Sequence, residues 1–277
     1  QFVYQQLLLA LGDGLVIFCS QYWGRRQTEP MRKISAVAMQ AGLLIAVILF
    51  TAVSLFPREA VGLFTTEESI IREGASYLGI VKYTYFFFAV TTILLATLRS
   101  VETVKIAFGL SVMAFCINCC INYVLIYGKF GAPQLGARGA AIGTLVARIA
   151  ECAVLLVYIA KKEGKLHLKL RDYFRRDRLL AGDYFRVCLP MLAVQGLWGL
   201  NTALQTVILG HMSAAAIAAN SAASTLFLLV KSMSVGSSAT ASVIVGKTIG
   251  TGNIPLVKHY SSVMQRMFLV IGLISGL

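Results

Sequence analysis

Acidic side chains are scarce in this sequence: 12 Asp and Glu stand against 25 Lys and Arg in 277 residues, and charged residues of both signs make up only 13%. A soluble domain carries about 25%, so this chain cannot clothe a water-facing surface and a membrane class follows. Histidine is scarcer still. His167, His211 and His259 lie far apart, in or beside polar loops, and form no metal-ligand cluster. No Ser-His-Asp set or carboxylate pair recurs on one face, so no catalytic residues are assigned, no cofactor is expected and an enzyme is not the reading. The glycines of GKTIGTGN lack the preceding strand that a phosphate-binding loop needs. The six cysteines all sit in or at the edges of apolar runs, where a thiol serves as a small apolar group, and imply no disulfide framework. The apolar start has neither a basic leader nor a cleavage site, so no signal peptide is read.

What the chain has in abundance is apolar sequence: 57% hydrophobic residues and a mean hydropathy of +0.75. A helix needs ~20 mostly apolar residues to cross a ~30 Å hydrocarbon core. Eight segments meet or begin to meet that length: Phe2 to Tyr22, Ile34 to Phe56, Ala75 to Leu98, Ile106 to Tyr127, Ala137 to Ala160, Val187 to Leu209, Ser213 to Val245 and Ile254 to Leu277. Pro57 closes the second, and GAAIGT opens the fifth with small residues that let helices approach closely. Both ends of the chain fall inside apolar runs, so a piece of a longer protein is expected.

The positive charge alternates with these segments. Residues 23–33, 99–105, 161–186 and 247–258 hold 17 of the 25 Lys and Arg, and the opposite loops hold four. That asymmetry places the first set in the cytoplasm. A nucleic-acid binder would present its cations on one polar face, and these cations lie between spans, so nucleic acid is not an expected partner. The longest polar stretch, Lys161 to Arg186, carries nine Lys or Arg against four acids. It reads as a cytoplasmic linker between a bundle over residues 1–160 and a second over 187–277, with LHLKL and RDYFRRDRLL lying at the headgroups.

A shift of 226 residues superposes the turn after the first span on the one after the seventh, with Gly24 on Gly250 and Arg32 on Lys258. Only six identities support it over residues 1–51.

Ionisable groups inside spans are costly and therefore candidate functional groups. Asp13, between Gly12 and Gly14, is either a cavity carboxylate that binds a cation or proton, or a structural carboxylate bonded to a neighbouring helix. Lys231 either pairs with a carboxylate across a cleft or snorkels to an interface. Arg148 and Glu151 are three residues apart and read as a local ion pair. Asn118 and Asn122 are one turn apart on one face, fit for interhelical hydrogen bonds.

These features together resemble the MATE (multidrug and toxic compound extrusion) family. The matching stretches are QYWGRRQ and its counterpart VGKTIGTGN, the arginine turn LRSVETVK, Asn118 and Asn122 before LIYGKFGAPQLGARGAAIGT, and an LP-led span before LGHMSAAAIAAN. The resemblance implies an all-α polytopic fold of two six-helix bundles related by a parallel repeat, with the second to ninth helices present here. It implies a secondary antiporter of the plasma (inner) membrane, a monomer, exporting organic cations or other xenobiotics in exchange for Na⁺ or H⁺ by alternating access. By the same resemblance, Asn118 and Asn122 would help to coordinate the coupling ion, although an asparagine cannot release a proton. Gln195, Asn201 and Gln205 occupy a helix in which some members carry a glutamate. The alternatives are a lipid-linked saccharide flippase, which would want more buried Arg and Lys, and a non-transporting membrane protein.

Overall fold

The computed structural model describes residues 2–62, 67–162, 164, 166, 178–210 and 214–276. Backbone groups in hydrocarbon must be satisfied within the segment, so long apolar runs fold as helices. Ten are described: α1 (Phe2–Gly24), α2 (Thr28–Leu55), α3 (Pro57–Gly62), α4 (Glu68–Val81), α5 (Thr84–Ser100), α6 (Lys105–Tyr127), α7 (Ala137–Lys162), α8 (Arg178–Gly210), α9 (Ala214–Gly250) and α10 (Ile254–Gly276). Their stops are chemical. Pro57 ends α2 and opens α3, where its missing N–H costs nothing. Gly128 closes α6 in the left-handed conformation at φ 65°, its N–H donating to the Val124 carbonyl.

Among the described residues six helices are each long and apolar enough to span a membrane, and the bent pair α4–α5 makes a seventh. The fold is all-helical and polytopic. Three expectations change. The span expected as continuous over 75–98 is broken between Val81 and Thr84 and bends by 51°. Polar contacts gather at the break. Lys82 Nζ donates to Ser54 Oγ at 3.0 Å and sits 5.2 Å from the Phe50 ring centroid, while the Thr84 hydroxyl donates to the Val81 carbonyl at 2.6 Å. Lys82 is thereby tied to α2. The span expected to start at Val187 belongs to a helix already formed at Arg178, with Pro190 inside it, so the end of the expected linker is helical. Residues 167–177, and the turn expected at His211 and Met212, lie outside the described residues. Finally, α10 is a helix as expected, but with Lys258, His259, Gln265 and Arg266 along it, it is not among the helices apolar enough to span a membrane.

Helix α1 is the hub, packing against α2, α5, α8 and α9. Tyr4, Leu8, Leu11 and Leu15 are buried along it, and the Tyr4 hydroxyl donates to the Tyr85 carbonyl of α5. By contrast α6 packs on α7 and leaves Phe108 and Phe115 outward, an apolar surface suited to lipid. The α6–α7 seam is as close as the small residues promised: a Cβ on Gly139 would lie 2.9 Å from the Leu125 backbone.

The faint internal repeat has a structural counterpart. Gly24 packs against Gly250, and a Cβ on Gly24 would lie 3.0 Å from the Gly250 Cα. Ser20 packs against Gly246. Both pairs are separated by 226 residues, the offset that superposed the two turns. Contact between equivalent positions is what a two-fold axis produces. Because 20 meets 246 and 24 meets 250, α1 and α9 run parallel and close together at the end carrying the turns after each.

Candidate functional site

Away from that closed end α1 and α9 part, and a cavity of about 740 Å³ lies between α1, α8 and α9, touched by the end of α5. Its size suits a drug-like molecule. Asp13 lines it on α1. The Asp13 carboxylate accepts a hydrogen bond from Arg99 Nη2 at 3.2 Å, forming an ion pair that is part-buried. Arg99 stands in the last turn of α5, where the chain was expected to have left the span for a polar turn. A carboxylate within a long apolar run is favoured by such a partner even where, as here, it is only part-buried.

Lys231 lines the cavity on α9, and its ammonium lies 3.1 Å from the centroid of the Trp198 ring of α8, a cation–π contact. The carboxylate partner anticipated for it across the cleft is not what it meets. The parallel register of α1 and α9 explains why: Asp13 lies level with Ala239, eight residues along α9 from Lys231, or about 12 Å at ~1.5 Å per residue. The Phe2 ring lies tilted against the same indole, ring centroids 5.5 Å apart. Gln195 contributes an amide from α8, and Ser234, Ser238 and Ser242 recur once per turn of α9.

The structure thus brings Asp13, Gln195 and Lys231 to one cavity and leaves four candidates outside its lining. Asn118 and Asn122 tie α6 to α7: Asn122 Nδ2 donates to Asn118 Oδ1 at 2.9 Å, and Asn118 Nδ2 donates to Thr144 Oγ1 at 3.4 Å. Gln205 is exposed on α8, its Nε2 3.5 Å from Asn220 Oδ1 of α9, and Asn201 is exposed near it. Arg148 and Glu151 form the expected pair, Nη1 to Oε2 2.7 Å, with Glu151 buried and the guanidinium 4.8 Å from the Phe88 centroid. Arg99 and Trp198 were not anticipated. A carboxylate inside a span announces a cationic partner, but nothing in the sequence says which of the cations near spans supplies it. Among the described residues no group of three or more His, Cys, Asp or Glu could hold a metal ion.

The closed end carries a second ion pair between distant elements. Lys247 Nζ of α9 donates to Glu102 Oε1, in the turn after α5, at 2.6 Å. Glu102 takes a positive φ of 61°, unusual for a residue with a side chain. Arg99 and Glu102 thus join the end of α5 to α1 beside the cavity and to α9 at the closed end.

Residues 1–124 match the MatE family model. The chain is 26% identical over 257 residues to the probable multidrug resistance protein YoeA of Bacillus subtilis (strain 168), covering 91% of this chain and 55% of that protein. It is 23% identical over 262 residues to the probable multidrug resistance protein NorM of Streptococcus pneumoniae (strain ATCC BAA-255 / R6), covering 91% and 56%. The chain therefore spans about half the length of these curated relatives. The fold is shared with an outward-facing conformation of a multidrug resistance MATE family transporter of the MOP superfamily, at a TM-score of 0.80 and 19% identity over 98% of this chain and 60% of that one. It is also shared with MATE in complex with MaD3S, at 0.83 and 18% over 98% and 61%. The match to the MatE family model thus lies in residues 1–124, and over 98% of its length the chain shares the fold of MATE transporter structures.

Proposed function

We propose that the intact protein is a secondary active antiporter that exports small xenobiotic molecules in exchange for Na⁺ or H⁺ by alternating access. One observation carries this reading: a drug-sized cavity between α1, α8 and α9 is shut at one end by contact between repeat-equivalent residues, Gly24 on Gly250 and Ser20 on Gly246. Two helices that touch at one end and part at the other can rock about the contact and expose the cavity to either side. Residues 1–160 form one half and 187–277 the start of the other, with the basic linker between them. The excess of Lys and Arg on the side of the closed end makes it cytoplasmic, so this conformation faces outward. The membrane is the plasma (inner) membrane and the working unit a monomer.

Asp13 is the coupling candidate. A cation or proton reaching its carboxylate competes with Arg99 and frees the end of α5, which also holds Glu102 against Lys247. The names of the relatives as multidrug resistance proteins support the substrate side of this reading. The test is dye efflux from cells expressing the full-length protein, with the Na⁺ and pH gradients varied separately. Export that collapses with one gradient and is lost in Asp13→Asn is the expected result. Dye accumulation indifferent to expression of the protein refutes the proposal.

A further inference from the structure

We infer that this cavity selects amphipathic organic anions, a flat apolar body bearing one carboxylate or sulfonate, and that Lys231 is the residue that reads the charge. The inference rests on the antiporter reading and departs from the cationic cargo expected of the resemblance. Its basis is a census of charge. Among the described lining residues the ionisable groups are Asp13, Arg99 and Lys231. The first two neutralise each other at 3.2 Å. Lys231 is left as an ammonium whose contact is the face of Trp198, which attracts a cation without cancelling its charge. Asp13, about 12 Å away along the parallel helices, already holds Arg99.

An ammonium within a span, with no unpaired acid among the described lining residues, calls for a counter-charge, and an anionic ligand supplies it. A cationic ligand is disfavoured twice. It meets like charge at Lys231, and the indole face that would bind it is already occupied by that ammonium. The rest of the cavity fits an amphipathic anion. Phe2, Leu228 and Val235 offer an apolar, partly aromatic wall to a flat body. The Gln195 amide and the Ser238 hydroxyl supply neutral donors for an acidic head.

The experiment uses two xanthene dyes of similar size and opposite charge, fluorescein and rhodamine 123, with purified full-length protein in nanodiscs and in efflux from cells. Binding of fluorescein at least tenfold tighter than rhodamine 123 is expected, with the preference kept in Lys231→Arg, abolished in Lys231→Gln and reversed in Lys231→Glu. Unchanged thermal unfolding shows that the variants are folded. Equal affinities, tighter rhodamine binding, or a Lys231→Glu variant that still prefers fluorescein overturns the inference. Export that ignores both ion gradients while the Lys231-dependent binding preference persists sinks the antiporter reading and leaves the charge assignment supported.

Discussion

Adding one methyl group at Gly24 should open the end of the molecule that is closed here. A Cβ at this position would lie 3.0 Å from the Gly250 Cα and would also run into the Lys247 carbonyl. Both are backbone atoms of α9, so no side chain can swing aside, and the helices must separate. Overpacking of this kind costs about 1–3 kcal/mol. The cost falls only on the conformation in which α1 and α9 touch, so it moves the equilibrium between closed and open ends about 5- to 150-fold. The better helix propensity of alanine acts in both conformations and does not offset it. The assay is electron–electron distance measurement between spin labels at Arg25→Cys and Asn253→Cys, exposed positions beside the two turns, in otherwise cysteine-free full-length protein. Gly24→Ala should transfer population from the short distance to a longer one, and Gly24→Val should do so further. Gly236→Ala, on the facing helix α9 with nothing within 4 Å of the added atom, should leave the distribution untouched. A folded Gly24→Val protein with the wild-type distribution would refute the packing argument.

Three further outcomes follow from named contacts. Glu151→Ala strands Arg148 beside a half-buried seam and should destabilise the protein by about 3–5 kcal/mol, whereas replacing both partners with methionine should be near neutral, read by thermal unfolding. Asn118→Ala removes the bonds to Thr144 and Asn122 and should cost about 0.6–1.7 kcal/mol while leaving the dye preference unchanged, which separates interhelical packing from ligand binding. The Lys247–Glu102 pair is about two-fifths exposed, so Lys247→Glu should shift the spin-label distances by no more than the ~1 kcal/mol of a solvated pair, and the double swap with Glu102→Lys should restore them.

Of the candidate site, the costly charges were legible and their partners were not. Asp13 and Lys231 stand out because a charge inside a long apolar run has few cheap explanations. Arg99 does not stand out, because two residues past Thr97 it reads as the first residue of a polar turn, and only the length of α5 keeps it within reach of α1. Asn118 and Asn122 show the converse: polar spacing on one helix face is equally suited to a ligand and to a neighbouring helix, and the close approach of α7 at Gly139 and Gly143 settled their surroundings. The break at Lys82 was hidden for a similar reason. The partner that Lys82 finds there, Ser54, lies on another helix.

By itself the sequence determined that this is a helical membrane protein, where most of its spans lie and how its cations divide between alternate polar stretches. Those properties depend on composition summed over some twenty neighbouring residues, and the bilayer enforces them locally. Tertiary structure alone decided that Gly24 meets Gly250, that Arg99 rather than another cation answers Asp13, and that Lys231 rests on Trp198 out of reach of any acid described in its cavity. These are facts about residues far apart in the chain, set by the register and crossing of packed helices, and no local pattern encodes them.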